Sequence, residues 1–209
     1  MNMNVGEVSI GAFLEAVASE RIVPAGGTAA AVAGATGAAL CEMTCIHAEQ
    51  ATVERSPAEV ELLAEAREEL QRARVRLLQL GDADAEAIEA LQSVLRGADT
   101  DSEETTTEQR RATGVPLTIA EACLSVLEAA EVAVELGAEN ASPDAVTGVL
   151  LAESALESAL YIVRHNTADL ENDSFAGTVR NRAAEIDTKA DYAVECALAD
   201  IDVAIRERR

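Results

Sequence analysis

Lysine is nearly missing from this chain: Lys189 is the only one among 16 basic residues, which face 38 acidic ones for a formal net charge of −22. The acids are spread along the whole length instead of gathered in a tail. Such a surface repels phosphate backbones and excludes nucleic acid as a partner. Keeping arginine while losing lysine points to adaptation to high salt, where screening suppresses self-repulsion. Aromatics are scarce too, with no Trp, two Tyr and two Phe. Sheets favour β-branched and aromatic side chains, so a palette of Ala, Leu and Glu excludes a β architecture and predicts an all-α fold. The four cysteines, Cys41, Cys45, Cys123 and Cys196, show no framework spacing, which excludes a disulfide scaffold. Cys41 and Cys45 share a helix face, but His47 lies off it and no fourth ligand is evident, so no metal is expected and buried small hydrophobes is the better reading. Met1 to Gly11 carries no basic stretch ahead of an apolar run, so no signal peptide and a cytoplasmic location are expected.

The one long uncharged run is Ile22 to Cys41, twenty residues of mostly Ala and Gly. Alanine gains little from lipid, and glycines would open a membrane helix. A buried central helix is the better reading, with no membrane partner. With 209 residues and 49% hydrophobic content, the chain predicts one domain over residues 1–209 with a substantial core.

Apolar periodicity and helix punctuation divide that domain into about six helices. The first runs from near Ser9 to Ser19, with Phe13, Leu14 and Val17 as its apolar face. A glycine turn at Pro24 to Gly27 launches the second, to about Val53. Ser56-Pro57 reads as an N-cap followed by a first-turn proline and opens the third. Val60, Leu63, Leu70, Ala73, Leu77, Leu80, Ala87, Leu91 and Val94 recur at threes and fours along it until Gly97. Ala98 to Thr107 reads as an exposed loop. The fourth helix spans Val115 to Leu136, Ser142-Pro143-Asp144 opens a fifth that reaches His165, and Asn172-Asp173 opens a last one that continues almost to Arg209. Short connections favour antiparallel neighbours, hence an up-and-down bundle.

Three places carry chemistry. At Pro24-Ala25-Gly26-Gly27-Thr28 adjacent glycines open a helix, and its first amides would suit an anion or a ligand carbonyl; a tight turn into a close-packed helix is the plainer alternative. In Gly81-Asp82-Ala83-Asp84 the helical projection puts Asp84 in the middle of the stripe of Leu77, Leu80, Ala87, Ile88 and Leu91. A carboxylate there is costly unless it has a partner, such as an arginine, or a job. Asp82 projects the opposite way and reads as a solvated acid. On the fifth helix Arg164 shares a side with Glu153 and Glu157, and pairs with one of them or with a ligand carboxylate.

Together these pieces resemble the cyclodeaminase/cyclohydrolase family, from about Val8 to Thr178. Ser9-Ile10-Gly11-Ala12-Phe13-Leu14 is similar to its opening helix. Pro24 to Ala31 is similar to its glycine signature, with Ala25 at a usual glycine and Thr28 at the usual serine. Asp82-Ala83-Asp84-Ala85-Glu86-Ala87-Ile88 is similar to its Asp-x-Asp-Ala segment. Val115-Pro116-Leu117, Asn140 to Asp144 and Val163-Arg164-His165-Asn166 follow in the family's order, with Pro143 and Ile162 as departures. The resemblance implies a helical homodimer that binds reduced folate near the glycine turn and the aspartates, with no cofactor beyond that tetrahydrofolate substrate. It implies Asp84, with Asp82 beside it, as the catalytic carboxylate, its pKa raised by burial. It also implies Pro24, Gly26, Gly27, Thr28, Asp144, Arg164 and Asn166 as substrate-binding residues. The implied reactions join formyl- or formimino-tetrahydrofolate to 5,10-methenyltetrahydrofolate. The uncharged helix from Gly26 to Leu40 is the expected subunit interface. Two other readings stand beside this one: a non-catalytic folate-binding descendant, and a helical scaffold whose Ala/Gly helix packs a dimer.

Overall fold

Serine hydroxyls set three of the helix starts. Ser9 accepts the Ala12 N–H, Ser102 accepts the Thr105 N–H, and Ser56 accepts the Glu59 N–H while Glu59 reaches back to the Ser56 N–H. The last pair is a capping box, which satisfies two otherwise orphaned donors at once. The computed structural model describes residues 4–97, 102–138, 141–168, 170 and 174–207, with the side chains of 200–207 left aside. Among these residues are six helices: α1 (Ile10–Val17), α2 (Gly26–Gln50), α3 (Pro57–Arg96), α4 (Glu103–Glu135), α5 (Ser142–Ala168) and α6 (Ser174–Glu207).

Contacts between side chains fix the directions. Arg67 meets Glu49, Arg74 meets Glu42 and Asp84 meets Thr28, so α3 descends as α2 rises. Arg111 of α4 meets Glu86 of α3, and Asn166 of α5 meets Ala112 of α4. On α5, a Cβ built on Gly26 would touch Ile162 and one on Gly37 would strike Gly148, which sets α5 antiparallel to α2 as well. α6 lies against α4 and α5, through Arg182 to Glu121 and Asp187 to Arg164. These registers set α3 and α5 antiparallel to α2, within the all-α fold read from the sequence.

α2 sits at the centre. Its Ala and Gly face is buried, including Ala31, Gly34, Ala35, Gly37 and Ala38. At Gly37 a Cβ would lie 2.6 Å from the Gly148 carbonyl oxygen and 3.0 Å from the Ala152 nitrogen. Two backbones touch there, and only hydrogen fits between them. The small residues of this face are consumed inside the protomer, which leaves the opposite face of the run, with Val32, Thr36 and Leu40, turned outward. α2 and α5 are both long and apolar enough by length and composition to cross a membrane, and each buries much of that length in the bundle.

Other differences have local causes. α4 begins at Glu103, not near Val115: Ser102 caps it, and the hydroxyls of Thr106 and Thr107 fold back onto carbonyls one turn earlier. The part of the expected loop from Ser102 on is thus the start of a helix, and residues 98–101 lie outside the described residues, as do Asn140, Asn172 and Asp173. Pro116, the second residue of the expected fourth helix, stands well inside α4. In α1 the buried pair is Phe13 and Ala16, whereas Leu14 and Val17 are exposed. So short a helix covers one side of the bundle with two residues only, and of its expected apolar face Phe13 alone turns inward. On α3, Leu63, Leu70, Ala73, Leu77 and Ala87 are buried as the stripe predicts, and Val60 alone among the larger ones is mostly exposed, at 53%.

Candidate functional site

Asp84 is the acid on the apolar stripe, and it is buried, with 2% of its surface exposed. The described residues place no arginine on it. Its partner is α2: the Thr28 hydroxyl donates to Oδ2 at 2.9 Å, and the Thr28 main-chain N–H also bonds the carboxylate. Ala25, at the N-cap position of α2, makes no side-chain cap bond. Asp84 thus caps α2 from a neighbouring helix, where an acid complements the positive end of the helix dipole. The fit is close, since a Cβ on Gly27 would overlap the carboxylate. That is the physical reason for glycine at this place, and it corrects the picture of amides standing free for a ligand. Burial pushes the Asp84 carboxyl above its ordinary range, against the opposing pull of the Thr28 hydroxyl and amide.

Asp82 does not project into bulk solvent. It is half-buried, and its Oδ1 accepts the Val5 main-chain N–H at 2.8 Å. The helical projection missed this because the N-terminal segment, not a helix, covers that side of α3. Beside Asp82 opens a groove of about 1370 Å³ between α1 with its flanking turns and the C-terminal half of α3. Val8, Ala12 and Ala16 form one wall, Ala85, Glu89 and Gln92 the floor on α3, and Arg21 to Val23 the edge that leads into Pro24 and α2. Asp82 therefore lines the groove, while Asp84 lies just behind it and holds the start of α2 in place.

The other sequence candidates scatter. Pro24, Gly27 and Thr28 are buried at the foot of α2, with Gly26 exposed beside Ile162. Asp144 is exposed at the opposite end of the bundle: the Cys41 thiol reaches the Ala145 carbonyl at 3.6 Å, roughly 20 Å along α2 from Gly27 at 1.5 Å per residue. Arg164 pairs with Asp187 at 2.6 Å and not with Glu153 or Glu157, because α6, invisible to a one-helix projection, brings its own acid. No three His, Cys, Asp or Glu side chains among the described residues gather as metal ligands. Burial pushes the thiols of Cys41 and Cys45 up to about 12 and about 11, which leaves them poor nucleophiles.

Asn166 has a structural task. Pro116 has no N–H, so the carbonyl one turn before it, Ala112, loses its helical donor. The Asn166 side-chain amide donates to that oxygen at 3.0 Å. This explains why Pro116 is tolerated inside α4 and why an asparagine stands at the end of α5. Asn166→Ala is expected to cost about 1–3 kcal/mol by stranding the carbonyl. In a Pro116→Ala background the same change should cost much less, as a double-mutant cycle of thermal melts would read. Strictly additive losses would sink the pairing.

With this geometry in place, comparisons with known proteins are informative. The family described as formiminotransferase-cyclodeaminase matches residues 9–185. A methenyltetrahydrofolate cyclohydrolase of Methylorubrum extorquens is 33% identical over 182 residues, covering 82% of this chain and 85% of that one. The crystal structure of a formiminotetrahydrofolate cyclodeaminase from Thermotoga maritima is similar with a TM-score of 0.87 at 20% identity, across 96% of this chain and 99% of that one, a likeness of fold.

Proposed function

This chain belongs to the formiminotransferase-cyclodeaminase family, and from that premise we propose that it is a methenyltetrahydrofolate cyclohydrolase. It adds water to the cationic carbon of 5,10-methenyltetrahydrofolate and opens the ring to 10-formyltetrahydrofolate. The observation that carries the reading is the likeness to a cyclohydrolase over most of both chains. The oxygen of water bonds to the methenyl carbon and gives up both its protons as it becomes the formyl oxygen; the carbon–N5 bond breaks, N5 takes one of those protons and the other is released.

Asp82 is the carboxylate for this work. It faces the groove, where its charge stabilises the cationic carbon and its oxygen accepts the proton of the attacking water. Asp84 is a positioning residue: with Gly26, Gly27 and Thr28 it holds the foot of α2, and through Pro24 the groove edge from Arg21 to Val23. No cofactor beyond the folate is invoked. Loss of the near-ultraviolet absorbance of 5,10-methenyltetrahydrofolate on incubation in molar salt tests the reading. A wild-type protein that neither hydrolyses nor binds the compound would overturn it. A second reading, cyclodeamination, uses the same groove and carboxylate to close the ring of 5-formiminotetrahydrofolate with loss of ammonia, and ammonia release separates the two.

The protein is proposed to work as a cytoplasmic homodimer. The outward face of α2, with Val32, Thr36, Leu40 and Met43, carries no charge on a chain of net −22. A second copy is the partner such a face admits without burying acids. Light scattering should read a dimer for the wild type and a monomer for Thr36→Arg, which buries a charge at mid-face; a monomeric wild type sinks the proposal.

Salt adaptation accompanies this reading. The Debye length falls from about 10 Å at 0.1 M to about 3 Å at 1 M, so added salt should relieve the repulsion of the acidic surface. Melting temperature is expected to climb from dilute buffer to molar chloride, and a flat or falling series would count against it.

A further inference from the structure

The two oxygens of Asp82 have different surroundings. Oδ1 accepts the Val5 main-chain N–H at 2.8 Å, whereas among the described residues Oδ2 accepts no hydrogen bond and is left to the groove. The last torsion of an aspartate side chain is broad, so packing around its Cβ does not aim the carboxylate. A donor held against one oxygen does. Val5 is such a donor. Its side chain is buried, and its Cγ2 lies 3.7 Å from where a Cβ on Gly81 would stand, so it rests on α3 one residue before Asp82. A closed turn holds it there: the Asn4 carbonyl accepts the N–H groups of Glu7 and Val8, and the Asn4 side-chain oxygen accepts the Gly6 N–H at 3.1 Å. The bond from Val5 to Asp82 spans 77 positions of sequence, caps no helix and belongs to no helical ladder.

We infer that the Val5 main-chain N–H aims the catalytic carboxylate, which makes the turn over residues 4–8 part of the machinery of the reaction. The inference rests on the cyclohydrolase reading and deepens it. With Oδ1 held, Oδ2 is the oxygen that meets the attacking water. A base that rotates freely spends part of its time with neither oxygen aligned, and misplacement of a reacting group by about 1 Å can cost as much as 10²-fold in rate. A base oriented by a further group is the arrangement that nucleophilic sites use as well. Val5 is thus a positioning residue: it acts through Asp82 and touches no reacting atom. Its contribution comes from the main chain, so no side-chain pattern announces it.

Proline is the substitution that removes a main-chain N–H. With 5,10-methenyltetrahydrofolate in molar salt, Val5→Pro should lower kcat roughly 10–10²-fold and change KM by less than about twofold. Val5→Ala trims the side chain but keeps the donor, and should hold kcat within about threefold of wild type. Asn4→Ala, an exposed change that loosens the turn and leaves the donor in place, should fall between the two. The deciding comparison is made in the Asp82→Asn background, where the base is already lost. There Val5→Pro should lower kcat by less than about twofold more, since two residues that act as one unit are not additive. A merely structural role would lower kcat by the same factor in both backgrounds. Thermal melts confirm that each variant is folded before kinetics are compared, and Asn4→Ala takes the place of Val5→Pro in the cycle if the proline prevents folding. Wild-type kcat in the folded variant, a rise in KM with kcat unchanged, or an equal loss of kcat with and without the Asp82 carboxylate would each overturn the assignment while the cyclohydrolase reading stands. A wild-type protein inert toward 5,10-methenyltetrahydrofolate takes down that reading and this one with it.

Discussion

Asp82→Asn is expected to lower the hydrolytic kcat roughly 10²–10⁴-fold, the usual worth of a general base, with little change in melting temperature. Asparagine keeps the oxygen that accepts the Val5 N–H at 2.8 Å, so the N-terminal segment stays in place and only the charge and the proton acceptor are lost. Asp84→Asn is expected to behave differently. Asp84 is sealed under the foot of α2, and asparagine is as good a cap as aspartate. Turnover should fall less than about tenfold, and stability at neutral pH should hold or rise because a buried charge has gone. The alternative in which Asp84 anchors a buried arginine predicts a loss of about 3–5 kcal/mol instead, and the described residues offer it no such arginine. The sign of the pH effect follows from burial. A carboxyl whose folded pKa is raised contributes stability that is fully present below its unfolded pKa, near 4, and is lost as pH rises through the folded value. Against Asp84→Asn, which cannot titrate, the wild type should therefore lose ground as pH climbs from about 4 toward 7. A gap independent of pH removes the burial argument. Full turnover in Asp82→Asn beside a collapse in Asp84→Asn moves the chemistry to Asp84.

Gly37→Leu should prevent folding of the protomer, not merely its association. Even Gly37→Ala sets a methyl 2.6 Å from the Gly148 carbonyl, and the obstacle is backbone, which cannot swing aside as a side chain can. Overpacking of a core usually costs about 1–3 kcal/mol; here α2 and α5 must separate along their length, so the alanine variant belongs at the upper end and leucine beyond it. Gly11→Ala is the contrast, because nothing lies within 4 Å of a Cβ there. Circular-dichroism melts decide the matter. A Gly37→Leu protein that keeps its melting temperature but changes its mass in solution would move the Gly37 side of α2 from the protomer's core to the subunit interface.

Much of this molecule is written locally. The all-α class, the caps at Ser9 and Ser56, the apolar stripe of α3 and the burial of Asp84 all follow from composition and a 3.6-residue period, since each depends only on residues within a few turns of one another. The glycine turn and its two acids are legible as a pattern for the same reason. What lies between elements is not. The Asp84 carboxylate meets Thr28 across 56 positions of sequence, and Val5 covers Asp82 across 77. No helical projection of α3 contains either neighbour, so the acid that seemed engaged is sealed away as a cap and the one that seemed solvated lines the groove. The expected fourth helix began at Val115, next to Pro116; the proline sits mid-helix because Asn166, from another helix, satisfies the carbonyl it strands. Arg164 found Asp187 on α6 instead of a glutamate on its own helix. The sequence by itself determined the all-α class, most of the helices and the buried stripe of α3. Only the tertiary structure decided which polar groups meet, because hydrogen bonds and ion pairs are satisfied by whatever the packing brings within reach, whereas helices are chosen one turn at a time.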